Sequence, residues 1–438
     1  MLMTNMLQQV YAIADTAIVG KGLGDNALAA VGNISSLTFL IIGFSMGLGN
    51  GFNVLTAQSF GANDYGKLRR YLGSSIRLCV IIAAVLTTLS VVFLKDILIM
   101  LQTDKAILAD SLSYGLVIFG GLSTAMLYNM CSGVLRALGD SRTPLYAIII
   151  STVVNILLDC GFIFLLRTGV WGAAAATVMS QLLSSAVCLY KLHRIEFIRL
   201  SRADFAFSFK LDIQLLKNGI PMALMNSITA IGCMTVQYFV NGLGVAYTSA
   251  YSACSRFINM FIQPACTAGY TMSAFASQNY GAKKYIRISD GMCVCIIIAS
   301  ISYFILGSVM VFAPKMLGSI LLDGDEPINI AAQYFRICGA ALFAVDLLFI
   351  FRSCVQGLGR PLIPMLSGII EMVMRIGVII LFIGKSGFAA TAFAEIAAWT
   401  GALAINVSAY LYITRIKLGV KRHFIHRKHQ TKTAAEIG

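Results

Sequence analysis

Gln58-Ser59-Phe60-Gly61-Ala62 returns, 220 residues later, as Gln278-Asn279-Tyr280-Gly281-Ala282. The same offset carries Gly22-Leu23-Gly24 onto Gly242-Leu243-Gly244, and Leu138-Gly139 onto Leu358-Gly359. Gly49, Tyr65 and Pro144 likewise find Gly269, Tyr285 and Pro364. One register across most of each half marks a duplicated domain. Both copies are apolar enough to span a membrane, and duplicated membrane halves build two lobes that rock around a central site. The repeat therefore points to a transporter before any single residue is interpreted.

The composition agrees. The 438 residues are 58% hydrophobic and only 12% charged, about half the charged share of a soluble domain. Runs such as 78–94 and 148–166 are nearly free of charge, and roughly 20 such residues cross the hydrocarbon core as a helix. Backbone groups cannot go unpaired in lipid, so these runs are helices. The eleven cysteines fall mostly inside the predicted helices with no Cys-x-x-Cys pair, which reads as packing rather than disulfides or metal ligands. No cofactor and no metal site is expected.

Twelve helices are predicted in an all-α polytopic membrane protein. The first six lie at about 1–20, 34–58, 76–94, 112–135, 144–166 and 170–190. The second six lie at about 218–240, 247–275, 291–312, 332–355, 362–383 and 388–413. The domain plan follows: an N-terminal six-helix lobe (1–190), a linker (191–217), a C-terminal six-helix lobe (218–413) and a basic tail (414–438). Of the net charge of +14, most lies in alternate loops. Lys67, Arg69, Arg70, Arg77, Arg136, Arg142, the linker, Lys283, Lys284, Arg287, Arg352, Arg360 and the tail form the basic set. That alternation reads as topology rather than as nucleic-acid binding, and places the basic set and both termini in the cytoplasm.

With the motifs in hand, the chain resembles the multidrug and toxic compound extrusion (MATE) transporters of bacterial type, over nearly its whole length. The resemblance rests on Asp15-Thr16-Ala17-Ile18-Val19-Gly20 and Ala27-Leu28-Ala29-Ala30-Val31-Gly32, then on Ala57-Gln58-Ser59-Phe60-Gly61-Ala62. It continues through Gly133-Val134-Leu135-Arg136-Ala137-Leu138-Gly139-Asp140 and Gln356-Gly357-Leu358-Gly359-Arg360-Pro361. It implies two six-helix lobes around a V-shaped cleft. It also implies efflux of cationic, amphipathic drugs or toxic metabolites in exchange for H⁺ or Na⁺. Such proteins begin with a short cytoplasmic segment and carry a proline in the first helix. Neither is in this sequence, so a truncated or mis-assigned start is expected.

Intramembrane ionisable groups are costly and tend to be functional. Asp15, Asp159, Asp346, Glu371 and Glu395 are the acids; Arg256, Arg336 and Arg375 are the bases. Asn155 and Asp159, four residues apart, share a helix face, and Asp15 belongs to the first helix of the same half. Two carboxylates close together in low dielectric cannot both stay ionised cheaply, which suits proton exchange. Their repeat counterparts are Thr235, Arg375 and Ile379, so ion coupling is expected in the N-lobe. The family pattern adds Gln8 and Thr177, giving Gln8, Asp15, Asn155, Asp159 and Thr177 as the expected cation or proton site. The competing reading is that these groups only join helices by hydrogen bonds. Asp346, Glu371 and Glu395 are secondary C-lobe candidates. The family's sodium-linked Asp on this helix comes with a Glu on the seventh, and 218–240 here has no acid. Glu371 and Arg375, spaced i, i+4, read as a neutralising ion pair, and Glu395 has no evident partner.

His423, His426 and His429 sit in the basic tail, which suits anionic headgroups better than a metal. Pro264 is expected to kink the eighth helix. Met222, Met225 and Met234 are read as core packing or as cleft lining. No Walker sequence is present, which argues against direct use of ATP. The leading reading is a monomeric secondary antiporter of the plasma membrane, with organic cations and lipids as partners. A lipid-linked precursor flippase is the alternative, and it would need a basic cavity. A membrane-embedded enzyme is a third reading; it lacks any Ser–His or zinc pattern, and His193 is the one histidine outside the tail.

Overall fold

A computed structural model describes residues 2–100 and 103–419, and among these residues all regular structure is helical. The first repeat holds α1 (Leu2–Leu23), α2 (Asp25–Gly61), α3 (Tyr65–Met100), α4 (Lys105–Gly120), α5 (Leu122–Ala137), α6 (Arg142–Cys160) and α7 (Val170–His193). A π-helical turn, Gly161–Leu165, continues α6. The second repeat holds α8 (Phe209–Asn241), α9 (Val245–Phe261), α10 (Gln263–Gly281), α11 (Tyr285–Phe312), α12 (Pro314–Leu321), α13 (Asp325–Gly357), α14 (Leu362–Ser386) and α15 (Ala389–Leu411). The last ends in a π-helical turn, Tyr412–Lys417. The metal reading of the tail histidines lies outside the described residues.

All twelve expected spans appear, several of them longer than expected. Among the described residues nine helices are long and apolar enough to cross a membrane, or ten when α4 and α5 count as one span bent by 42°. The helix α1 and the pair α9–α10 complete the twelve. Pro264 falls in the first turn of α10, so the eighth span breaks where proline was expected to act. The fourth span was read as continuous over 112–135, but it breaks at Gly121, where the side chain of Val178 leaves no room for a β-carbon. The helices α2, α3, α8 and α13 begin 7 to 11 residues before their predicted starts, because hydropathy sees only the lipid-crossing part of a helix.

Each lobe closes around two apolar cores. In the N-lobe, Ile34, Leu94, Leu98 and Phe119 fill one end, and Phe52, Leu68, Leu72 and Leu135 fill the other. In the C-lobe, Phe257, Tyr334, Phe335 and Trp399 make one core, and Met272, Ile288, Ile350 and Val355 the second. The outer faces are apolar too: Val80, Ile81, Val85 and Val92 on α3 and Ile297, Ile301, Phe304 and Ile305 on α11 are exposed. That is the surface a lipid environment selects. Met222 and Met225 belong to the buried interior, whereas Met234 is exposed.

The lobes meet mainly through α2, which packs along both α8 and α10. Gly47 and Gly51 of α2 lie against Ala223 and Gly219 of α8, and small residues at this spacing let helix backbones approach in a membrane. Asn226 of α8 donates to Gly43 O across the same seam, at 2.9 Å. Near the basic loops the repeated pentapeptides touch. Gln58 Nε2 donates to Gly357 O (3.0 Å), and Gln278 Nε2 donates to Ala137 O (2.7 Å). These two bonds are repeat counterparts in both donor and acceptor. The helices α2 and α10 cross so closely here that a β-carbon at Gly61 or at Gly281 would collide with a backbone carbonyl of the other helix. The lobes are thus fastened at the end carrying the basic loops. The linker is fixed to the same end: Arg77 of α3 pairs with Asp212 (2.5 Å) and donates to Phe205 O (2.7 Å).

Candidate functional site

The helices α1, α6 and α7 pack against one another. The approach of α1 to the end of α6 depends on Gly22, where a β-carbon would meet Ile163 and Phe164 of the π-helical turn. Such turns re-aim side chains next to functional groups, and this one directly follows Asp159. Asn155 and Asp159 have no exposed surface and project from one face of α6. The carboxyl of Asp15, reaching in from α1, faces that of Asp159, with Asn155 beside it. Among the described residues Asp15 Oδ1, both oxygens of Asp159 and both polar atoms of Asn155 are buried with no hydrogen bond of good geometry. Among the described residues no basic side chain pairs with either acid.

The structure therefore brings together Asp15, Asn155 and Asp159 from two helices. Gln8, two turns before Asp15 on α1, is exposed. Thr177 is half-buried on α7, the helix packed along α6. The arrangement is rich in oxygen and carries up to two negative charges. Unpaired buried carboxylates are expensive, so the group favours taking up a proton or a small cation.

The C-lobe differs in kind. Glu371 receives Arg352 at 2.5 Å and Arg375 at 3.3 Å, and Arg375 also reaches Glu395 at 2.8 Å. Two arginines and two glutamates thus form a buried network with no net charge. The expected Glu371–Arg375 pair is present within it. Glu395, expected to lack a partner, has Arg375. Arg352, assigned to a basic loop, is instead buried in α13 and only 6% exposed. Arg256 and Arg336, expected in the interior, are exposed. The sequence signal for the network was the pair of buried glutamates, each of which needs a counter-charge in lipid. Asp346 remains outside it, fully buried on α13 with both carboxyl oxygens unpartnered. Of the three C-lobe candidates, only Asp346 is an acid without a counter-ion.

The MatE family model matches residues 1–160 and 221–381, two stretches in the register of the internal repeat. A probable multidrug resistance protein of Bacillus subtilis, YoeA, is 30% identical over 350 residues, covering 77% of this chain and 74% of its own. Among solved structures, a MATE protein in the bent conformation superposes with a TM-score of 0.87 at 20% identity. It covers 99% of this chain and 94% of its own. An outward-facing MATE family multidrug resistance transporter gives a TM-score of 0.86 at 21% identity, covering 96% and 94%.

Proposed function

This chain belongs to the multidrug and toxic compound extrusion (MATE) family, and from that premise we propose that it is a secondary active antiporter. It exports cationic, amphipathic drugs or toxic metabolites while H⁺ or Na⁺ moves inward. The observation that carries this reading is the group of half-buried Asp15 with buried Asn155 and Asp159, two carboxylates on membrane helices with no basic partner among the described residues. The C-lobe network, already neutral, supports the reading by contrast: it has no charge left for an incoming ion to compensate. Asp346 is a secondary ion site.

An inward-moving ion binds between α1 and α6 and cancels charge that the protein otherwise bears unpaired. Relieving that repulsion lets α1 close on α6 and reshapes the N-lobe side of the cleft, which releases the cargo. A unit charge falling through 100 mV supplies about 2.3 kcal/mol, enough for a cargo gradient of several tens-fold. The drug cargo is suggested by the relatives, which are named as multidrug resistance proteins. The protein acts as a monomer in the plasma membrane, with both termini and the basic loops in the cytoplasm.

The experiment is ethidium transport by reconstituted vesicles under an imposed pH gradient, then under a sodium gradient, comparing the native chain with Asp159→Asn. Transport should follow one of the two gradients and vanish in the variant. An unchanged rate in Asp159→Asn would overturn the reading.

A further inference from the structure

A cavity of about 40 Å³ lies between the lobes, on the membrane side of the Gln58–Gln278 crossing. Six of its polar lining residues come in repeat counterparts: Asn50 with Tyr270, Asn53 with Ser273, and Arg136 with Gln356. The seventh, Ser277, stands opposite Ala57 in the repeat and already donates to Ser273 O and Gly357 O. Residues related by the duplication can line one small space together only if that space sits on the axis relating the lobes. The N-lobe contributes one member of each pair and the C-lobe the other.

All six side chains carry a hydrogen-bond donor, and no carboxylate lines the cavity. Among the described residues none of the six makes a side-chain hydrogen bond or ion pair. Arg136 thus brings a full positive charge to the axis without a counter-charge, and its counterpart Gln356 is neutral. A guanidinium taken out of bulk water without a partner is costly. Convergent neutral donors do not offset it, whereas an anion satisfies all of them at once. The volume decides the size of that anion. One water needs about 10–15 Å³ of such space, so the cavity has room for a small inorganic ion and not for an organic cargo.

We propose that this axial cavity is a chloride-sized anion site, shared by both lobes, that holds their fastened end together. The ion neutralises Arg136 and accepts from donors on each side of the seam. Because the six donors converge only while the lobes meet here, the ion favours this state over one in which they part. The site is separate from the Asp15–Asp159 group and from the cargo.

The test uses the purified full-length chain in detergent, in sodium chloride or in sodium gluconate at equal ionic strength. Gluconate is too large for the cavity. Chloride should raise the unfolding temperature saturably by about 2 °C, and equilibrium dialysis with radiolabelled chloride should find one ion per chain. Arg136→Gln should abolish both signals. Asn53→Asp provides a second variant should Arg136→Gln fold poorly. Asn53 packs against Gly133, one turn before Arg136, so a carboxylate there gives the arginine an internal partner and removes the chloride response. Identical melting of the native chain in the two salts would overturn the proposal, as would a full chloride response in either variant. None of these readouts depends on transport, so they stand or fall apart from the antiport reading.

Discussion

Asp159 and Glu395 are both buried acids on membrane helices, yet replacing each by its amide should have opposite consequences. Asp159 has no basic partner among the described residues, so Asp159→Asn removes an uncompensated carboxylate. Stability should hold or rise slightly while gradient-driven transport is lost. Glu395 accepts from Arg375 at 2.8 Å, so Glu395→Gln leaves the buried network with one excess positive charge. Breaking a buried pair by removing one partner costs roughly 3–5 kcal/mol, and the variant should melt well below the native protein. Thermal unfolding in detergent measures both at once. A comparably destabilised Asp159→Asn would mean that its carboxylate has a compensating partner after all. Helical spacing made part of this chemistry legible: Asn155 with Asp159 and Glu371 with Arg375 both follow from the turn of one helix. The bonds from Arg352 to Glu371 and from Arg375 to Glu395 join three helices, and no local period reports which helices will be neighbours. Arg352 also lies a turn and a half from the end of α13, close enough to a loop for a linear reading to assign it there.

At the scale of elements, the apolar runs located every span because lipid imposes helix on any segment it surrounds. The ends were poorly legible because water imposes no such rule, and the extensions of α2, α3 and α8 run beyond the apolar stretches. A cap at the start of α6 gives a pH-dependent prediction. Asp140, between α5 and α6, accepts from the backbone amides of Arg142 and Thr143 at 3.0 Å each and from the Thr143 hydroxyl at 2.6 Å. Partial burial pushes its carboxyl toward a higher pKa, but the Thr143 hydroxyl and the two amides outweigh this and hold it below the ordinary carboxylate value. The folded state therefore prefers the ionised form. Its contribution is complete above the unfolded pKa of about 3.9 and is lost as pH falls through the lower folded value. Asp140→Ala should cost about 1 kcal/mol at neutral pH, the same at pH 5, and progressively less below pH 4. Melting curves of the two proteins at pH 7, 5 and 3 give the comparison. A gap that widens on acidification would contradict the capping role.

The whole molecule is a symmetric scaffold carrying an asymmetric set of polar groups. The duplication was fully legible, and it reaches the backbone: Asn63 and Lys283, repeat counterparts, both adopt positive φ, 56° and 58°. What sequence could not report is that the repeated pentapeptides touch each other, since an offset relates two copies without saying that they meet. Their meeting gives the lobes a reciprocal fastening, Gln58 to Gly357 O and Gln278 to Ala137 O, at the end where the acids of the N-lobe are absent. An antiporter must release that fastening once in each cycle, so its strength sets how the two arrangements are populated. Each bond contributes about 1 kcal/mol net. Replacing both glutamines by alanine should therefore shift the equilibrium by roughly 2 kcal/mol, about thirty-fold, toward the parted arrangement. Lys67 and Arg287, exposed repeat counterparts just beyond the crossing, suit a pair of spin labels in a background lacking the exposed Cys160 and Cys233. The double alanine variant should broaden their distance distribution toward longer values, and each single variant should do so about half as far in free energy. Because the bonds are symmetric, the two single variants should match one another. A large effect from one glutamine and none from the other would show that the fastening is one-sided, and that the symmetry of the scaffold does not extend to its opening.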